Sequence, residues 1–292
     1  MDSKILEIKI SNLDYNQIFK KISEFLNSPA QHRIITLNPE YVLEAQKDEQ
    51  FKNIINNADL VVADGIGILW AAKFLSLQTS RFKILRNLQI VIQYIYTGAS
   101  LIFLPSYCRS VIKEKVSGVN IVKKITNCEL RITNCPIRIF LIGGYNGAAK
   151  KIKEKYPNTV VETYEGSPDI QNDKKTREII NQAQPNILFV AYGNPGSKQE
   201  KWISRNLPYL PSVKFAMGVG GSFDFLSGSI KRAPKWMQKR GIEWLWRLFR
   251  QPRRIKRIWN AAGVFSWQIL KLKIKNNTSV IPNDPKGRGG SL

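Results

Sequence analysis

The sequence predicts an α/β fold, a Rossmann-like parallel sheet with helices on both faces, extended by a basic amphipathic helical C-terminal appendage. Three observations lead there. Six short runs rich in β-branched or aromatic residues, at 34–37, 60–63, 137–142, 159–162, 187–192 and 213–219, have the length and apolarity of strands buried on both faces. Helix-period stretches at 39–57, 147–156 and 173–184 lie between them, the alternation that a covered parallel sheet requires. A chain of 292 residues with 43% hydrophobic content is long enough to bury such a core. The expected organisation is a Rossmann-like domain at 1–230 with an apolar insertion at about 79–112, the appendage at 231–275 and a disordered tail at 276–292.

Two stretches interrupt the alternation. No charge occurs from Asn87 through Cys108, and Leu88, Val91, Ile92, Ile95, Ala99, Ile102 and Phe103 share one helical stripe. Its length approaches that of a membrane span, but Gln89, Gln93, Gly98 and Pro105 point instead to a helical hairpin, either buried or re-entrant or in contact with a membrane. A short direct repeat, Ile125-Thr126-Asn127-Cys128 and Ile132-Thr133-Asn134-Cys135, reads as a loop duplication.

Charge narrows the partners. The formal net charge is +23, which calls for an anionic partner or surface. Residues 231–275 hold fourteen Lys and Arg against one acid, Glu243, and five of the seven tryptophans. Cationic, aromatic and amphipathic together describe an interfacial helix, so an anionic membrane surface is expected rather than nucleic acid. Cys108, Cys128 and Cys135 are odd in number and lack metal-ligand spacing, and the only histidine, His32, is far from them in sequence. With Asp2, Glu7 and Glu24 breaking any secretory pattern, a cytoplasmic protein held peripherally on the inner face of the cell membrane is expected.

The motifs follow the strands in order, where ligands of such sheets gather. Thr36-Leu37-Asn38-Pro39-Glu40 ends the first run, with Pro39 placed to open a helix and Asn38 able either to cap it or to meet a ligand. Asp59 precedes the second run and reads as a cap. Asp64 leaves that run directly into Gly65-Ile66-Gly67, where a carboxylate can take a proton from an incoming hydroxyl; the alternative is a turn or N-cap aspartate. Gly143 and Gly144 follow the third run and leave room for a phosphate to approach the backbone. Gly193-Asn194-Pro195-Gly196 leads into Ser197-Lys198-Gln199-Glu200-Lys201-Trp202, where Lys198, Gln199 and Glu200 place a cation, an amide and an acid at a helix start. Gly220, Gly221 and Asp224 close the series, with Arg232 shortly after.

Taken in order these blocks resemble the WecG/TagA/CpsF glycosyltransferase family, a resemblance completed by Arg232-Ala233-Pro234 and Gly241-Ile242-Glu243-Trp244-Leu245-Trp246-Arg247-Leu248, and covering about residues 5–258. The resemblance implies metal-independent inverting transfer from a UDP-sugar, such as UDP-N-acetylmannosamine, to an undecaprenyl-diphosphate-linked amino sugar, with no cofactor. It implies Asp64 as base, Thr36, Asn38 and Gln199 in the donor pocket, and Arg232, Arg240 and Arg247 closing over the site to meet diphosphate. Where the family carries Arg-Val-Thr-Gly before an acid, this chain has Lys115-Val116-Ser117-Gly118-Val119-Asn120. Lysine keeps the charge and loses the bidentate fork, so the donor sugar is not carried over.

Two other classes compete. A nucleotide-dependent oxidoreductase shares the layered pattern but would need the Gly-x-Gly-x-x-Gly turn that is missing here. A nucleic-acid-binding protein would share the charge, though not its concentration in one Trp-rich segment. The sequence leaves a homo-oligomer open.

Overall fold

The computed structural model describes residues 3–127, 136–193, 197–250, 252 and 255–275. Cys128 to Cys135 of the duplicated loop, Asn194-Pro195-Gly196, Arg253, Arg254, the side chains of Ile102 and Lys239, and the tail 276–292 lie outside the described residues.

The chain opens with a two-stranded antiparallel hairpin, β1 (Ser3–Ile5) and β2 (Ile8–Ile10), turned by Leu6 and Glu7 at positive φ. Helix α1 (Tyr15–Asn27) begins in a capping box formed by Asp14 and Gln17, each satisfying the other's backbone N–H. Then follow β3 (His32–Leu37), α2 (Pro39–Ala45), α3 (Glu49–Asn56), β4 (Leu60–Ala63), α4 (Ile66–Ser76), α5 (Lys83–Phe103) and α6 (Gly118–Thr126). The second half holds β5 (Ile139–Gly143), α7 (Ala148–Lys155), β6 (Val160–Tyr164), α8 (Asp173–Ala183), β7 (Ile187–Ala191), α9 (Ser197–Asn206), β8 (Phe215–Gly218) and α10 (Ser222–Leu226). The basic segment forms α11 (Lys235–Arg240), α12 (Glu243–Arg250), α13 (Ile255–Trp259) and α14 (Phe265–Lys275), with a π-helical turn, Asn260–Val264, joining the last two.

All six expected strands form one parallel sheet in the order β4-β3-β8-β7-β5-β6. Alternate residues feed opposite layers, as the two-residue period of a strand requires. Ile34, Leu60, Val62, Ile139, Leu141 and Phe189 pack under α1, α6, α7 and α10. On the other face Ile35, Leu37, Val61 and Ala63 meet α2 to α5 and α14, while Phe140, Leu188, Val190 and Ala216 meet α8 and α9. From β4 the chain crosses over β3, β8 and β7 to reach β5. That jump opens a crevice at the carboxyl ends of the central strands.

Three local readings change. The 39–57 stretch is two helices, because Asp48 turns extended and its carboxylate accepts from Phe51 N at 3.0 Å, capping α3. Asp59 caps no helix; its carboxylate accepts from Arg33 N at 2.8 Å and lies 3.1 Å from His32 Nδ1 across the strand ends. The uncharged stretch is no hairpin but one helix, α5, of 21 residues. It stops at Leu104 because the residue before Pro105 is steered out of helical conformation, and a 3-10 turn, Pro105–Ser110, follows. Its inner face buries Ile90 and Thr97, whereas Leu88, Val91, Ile92, Ile95 and Phe103 are exposed. Among the described residues no helix is long and apolar enough to cross a membrane.

The end of the basic segment is built into the core. Phe265 and Ile269 of α14 are fully buried against the layer that includes Trp70, Phe74 and Ile90. Lys273, also buried, donates to the Phe74 carbonyl and, at 2.7 Å, to Gln93 Oε1, and lies 4.4 Å from the centre of the Phe74 ring. Burial pushes its amine down to about 8. Phe265→Ala is therefore expected to cost about 3–5 kcal/mol of stability by leaving a cavity. Chemical denaturation measures it, and a loss under about 1 kcal/mol would show that α14 does not complete this core.

Candidate functional site

A cavity of about 910 Å³ lies at the carboxyl edge of the sheet. Its polar end is assembled from the residues that leave each central strand. At the end of β3, Thr36 is buried and Asn38 caps α2, its Oδ1 accepting from Tyr41 N at 3.0 Å, with Pro39 as the first helical residue. The capping role and the cavity-lining role coincide in Asn38, since the cap of a helix placed after a strand faces the crevice. At the end of β4, Asp64 N donates to Leu37 O at 2.7 Å, which holds the aspartate level with Asn38. Gly65 then takes φ +96°, a value that a side chain would resist, and α4 starts directly after it with Ile66 and Gly67 on the cavity wall. Gly144, Gly193, Gly220, Gly221 and Asp224 line the same space from the ends of β5, β7 and β8.

Protein surroundings raise the Asp64 carboxyl above its usual range, and Glu243 raises it further; Lys115 and Arg247 oppose this, as does a hydrogen bond from the Gly118 backbone. Lys115 is brought there by a backbone bond from Val116 N to Ala63 O of 2.9 Å, and its Nζ lies 3.4 Å from Gln238 O. Arg247 lines the cavity with its guanidinium 4.4 Å from the centre of the Phe225 ring. Among the described residues its buried Nε has no hydrogen-bond partner. A second arginine, Arg257, makes a two-pronged pair with Glu40, Nε lying 2.9 Å from Oε1, and both side chains line the cavity.

Behind Gln199 stands a buried polar cluster. Gln199 Nε2 donates to Tyr41 Oη at 2.7 Å, and Gly220 N donates to Gln199 Oε1 at 3.2 Å. Glu200 Oε1 lies 3.4 Å from Tyr41 Oη and 3.5 Å from Gln199 Nε2. Gly218 makes this possible: a Cβ there would stand 2.1 Å from Glu200 Oε1 and 2.5 Å from Gln199 Nε2, so any other residue would displace both side chains. Burial pushes the Glu200 carboxyl up to about 8, against the lowering effect of its bonds to Gln199 and Tyr41. Glu200 is therefore a neutral acid near pH 7.

Of the residues singled out in the sequence, Thr36, Asn38, Asp64, Gly65, Gly144, Gly193, Gln199, Gly220, Gly221, Asp224 and Arg247 share the cavity wall. Five stand elsewhere. Gly143 is the last residue of β5 and borders a smaller depression beside Thr163 and Tyr164. Lys198 is exposed on the outer face of α9, and Glu200 lies beneath the wall. Arg240 is exposed, its guanidinium 5.9 Å from the Trp236 ring centre. Arg232 is tied back by Asn120 Oδ1 at 2.6 Å and by Glu243 at 3.3 Å. Lys115, Glu243 and Arg257 are wall residues that the motifs did not assign to the site; Arg257 had been counted only as charge, because nothing in a basic run marks which member turns inward.

The raised Glu200 carboxyl has a consequence for stability. A folded-state value above the unfolded one means that the folded chain holds the extra proton, so stability is fully present below about 4.5 and falls as pH rises towards about 8. Glu200→Gln should flatten that fall between pH 5 and 8 while preserving the cluster's shape. Melting temperatures measured across this range test it, and equal slopes in both proteins would rule out a protonated Glu200.

The family model of the glycosyl transferase WecG/TagA/CpsF family matches residues 3–93 and 81–279. Among relatives, an N-acetylglucosaminyldiphosphoundecaprenol N-acetyl-beta-D-mannosaminyltransferase of Bacillus subtilis (strain 168) is 28% identical over 257 residues, 87% of this chain and 84% of that protein. A protein of the same name from Staphylococcus aureus (strain MRSA252) is 26% identical over 277 residues, 93% of either chain. A parallel sheet with a carboxylate, a glycine-lined crevice and cations at its carboxyl edge, matched by that model over nearly its whole length, makes this chain a member of the WecG/TagA/CpsF glycosyl transferase family.

Proposed function

We propose that the protein transfers an N-acetylmannosamine or related hexose from a UDP-sugar to an amino sugar carried on a polyprenyl diphosphate, in the making of a cell-surface polysaccharide or a teichoic-acid-type polymer. The observation that carries the reading is that Asp64, Gln199, the Gly218–Gly221 turn and the cations Lys115, Arg247 and Arg257 line one cavity. The names of the relatives supply the sugar and the acceptor class.

In this reading the acceptor hydroxyl gives its proton to Asp64, and its oxygen forms a bond to the anomeric carbon of the donor. The bond from that carbon to the diphosphate oxygen breaks on the opposite side, so the configuration inverts and UDP departs with the electron pair. Lys115, Arg247 and Arg257 meet its charge, together with the glycine-turn backbone, which is the service a divalent ion would otherwise perform. Arg247 suits the task because its Nε is buried with no acceptor of its own among the described residues. A raised Asp64 carboxyl is a stronger base than an ordinary aspartate, and remains ionised only above its raised value.

The same reading places the protein peripherally on an anionic bilayer. Exposed Trp236, Trp244, Trp259 and Trp267 stand among the lysines and arginines of the last helices, and the exposed apolar face of α5 adds a second contact. Each basic residue near such a surface contributes about 1 kcal/mol, so a few suffice for reversible binding.

The test is a screen of UDP-sugars against a prenyl-diphosphate-linked N-acetylglucosamine, read by mass spectrometry. Asp64→Asn should lower kcat by about two to four orders of magnitude with UDP affinity kept. In the wild type the acid limb of kcat/KM should lie above the ordinary aspartate range near 4, moving higher in Lys115→Met and lower in Glu243→Gln. An Asp64→Asn enzyme with wild-type turnover would remove this carboxylate from the chemistry. For the membrane, Ile92→Glu with Ile95→Glu should weaken co-sedimentation with vesicles containing phosphatidylglycerol by about tenfold or more. Unchanged sedimentation would take α5 out of the contact.

A further inference from the structure

The cavity has a second chemistry beyond its polar end. Its wall also includes the inner face of α5 and the turn before α14, with Trp70, Tyr94, Gly98, Leu101, Ile258 and Ala261, which form an apolar arm. Polar atoms in this arm are already engaged with one another. Trp70 Nε1 donates to Thr97 Oγ1 at 3.0 Å, and Thr97 donates to Gln93 O at 2.7 Å. Tyr94 Oη donates to Ser266 Oγ at 3.0 Å, and Ser266 donates to Gly263 O at 3.0 Å. The donors of these groups are thus all engaged, leaving none for an anionic ligand, whereas an apolar one would gain from leaving water.

Space is kept open on both sides of the arm. A Cβ added at Gly98 would meet no atom within 4 Å, so the absence of a side chain there is not demanded by helix packing. Opposite, the π-helical turn Asn260–Val264 carries Ala261 and Ala262 to the wall. Helix α5 is thus two-faced: Tyr94, Gly98 and Leu101 line the cavity, while Leu88, Val91, Ile92 and Ile95 are exposed on the other side.

We propose that this arm is the binding site for the isoprenoid chain of the acceptor, its first isoprene units lying between α5 and the π-helical turn with the diphosphate directed towards Arg257, Arg247 and Lys115. The inference rests on the reading of the acceptor as a polyprenyl diphosphate. It goes further by assigning residues that select for the lipid, independently of the sugar. Charge complementarity gives the direction of the ligand: Lys115 and Arg247 act on Asp64, and Arg257, coupled to Arg247, is followed one residue later in the chain by Ile258 of the apolar arm, so a diphosphate at these cations has the sugar end at Asp64 and the lipid end in the arm.

Photolabelling of the full-length protein with a geranylgeranyl diphosphate bearing a terminal diazirine tests the site without requiring catalysis. Label is expected in peptides covering 94–101 and 258–266. Gly98→Leu should reduce it about tenfold or more by filling the arm, and Gly98→Ala should leave it within about twofold. Ala261→Leu fills the arm from the opposite wall and serves if the helix does not tolerate leucine; circular dichroism melts establish that each variant is folded. With sugar-bearing acceptors, Gly98→Leu should raise KM about tenfold for an undecaprenyl chain and leave KM unchanged for a short alkyl chain. Label confined to the outer face of α5, or equal KM changes for both acceptors, would overturn the site. Label in the arm without transfer to any prenyl-linked sugar would support the site and overturn the acceptor reading; transfer without label in the arm would overturn the site alone.

Discussion

The cavity depends on one alignment, the parallel pairing of β3 with both β4 and β8. Ile34 stands beside Leu60 on one side and Met217 on the other, so β3 and β4 end together and the glycine turn after β8 runs alongside the last residues of β3. Asn38, Asp64 and the Gly218–Gly221 turn consequently emerge together although they are far apart in the chain. A slip of one residue in β4 would turn Val61 and Ala63 to the opposite layer and carry Asp64 away from Asn38. Burial on both faces makes such a slip costly, because every strand residue is specified by one core or the other.

Electrostatics around that edge are built from opposing contributions of similar range. Desolvation and Glu243 favour the neutral form of Asp64, and Lys115 and Arg247 favour its ionised form. Glu243 is itself paired with Arg232, which is held by Asn120. Asn120 accepts from the arginine without bringing a negative charge to the group, and Lys115 supplies a point charge to the Asp64 carboxylate.

The basic segment, uniform in composition, divides into three uses once folded. Lys273 is buried and spent on Phe74 and Gln93, Arg247 and Arg257 face the cavity, and Trp236, Trp259 and Trp267 stay exposed among the remaining cations. The helices thought of as a surface attachment thereby also wall the site, with Phe265 anchoring them to the core beside Trp70. The cavity and the proposed bilayer contact therefore share these helices and α5.

Six strands, the cap at Asn38 and the exit of Asp64 into a glycine were legible in the sequence because each is a local matter: two-sided burial leaves apolar runs, and a strand that feeds a helix needs a cap and a turn. The hairpin of β1 and β2 escaped because three-residue strands carry too little periodicity to be seen. Asp48's break of the 39–57 stretch was written in a single capping residue amid a continuous helical period. For α5 the sequence determined that one stripe is apolar, but a periodic pattern says nothing about what the stripe faces; only packing against α4 and α14 turned Ile90 and Thr97 inward and left Leu88 and Ile95 outside. Likewise fourteen basic residues could be counted in a line, whereas which two reach the carboxylate's cavity depends on where α12 and α13 dock, and that is decided by contacts between residues two hundred positions apart, such as Arg257 with Glu40.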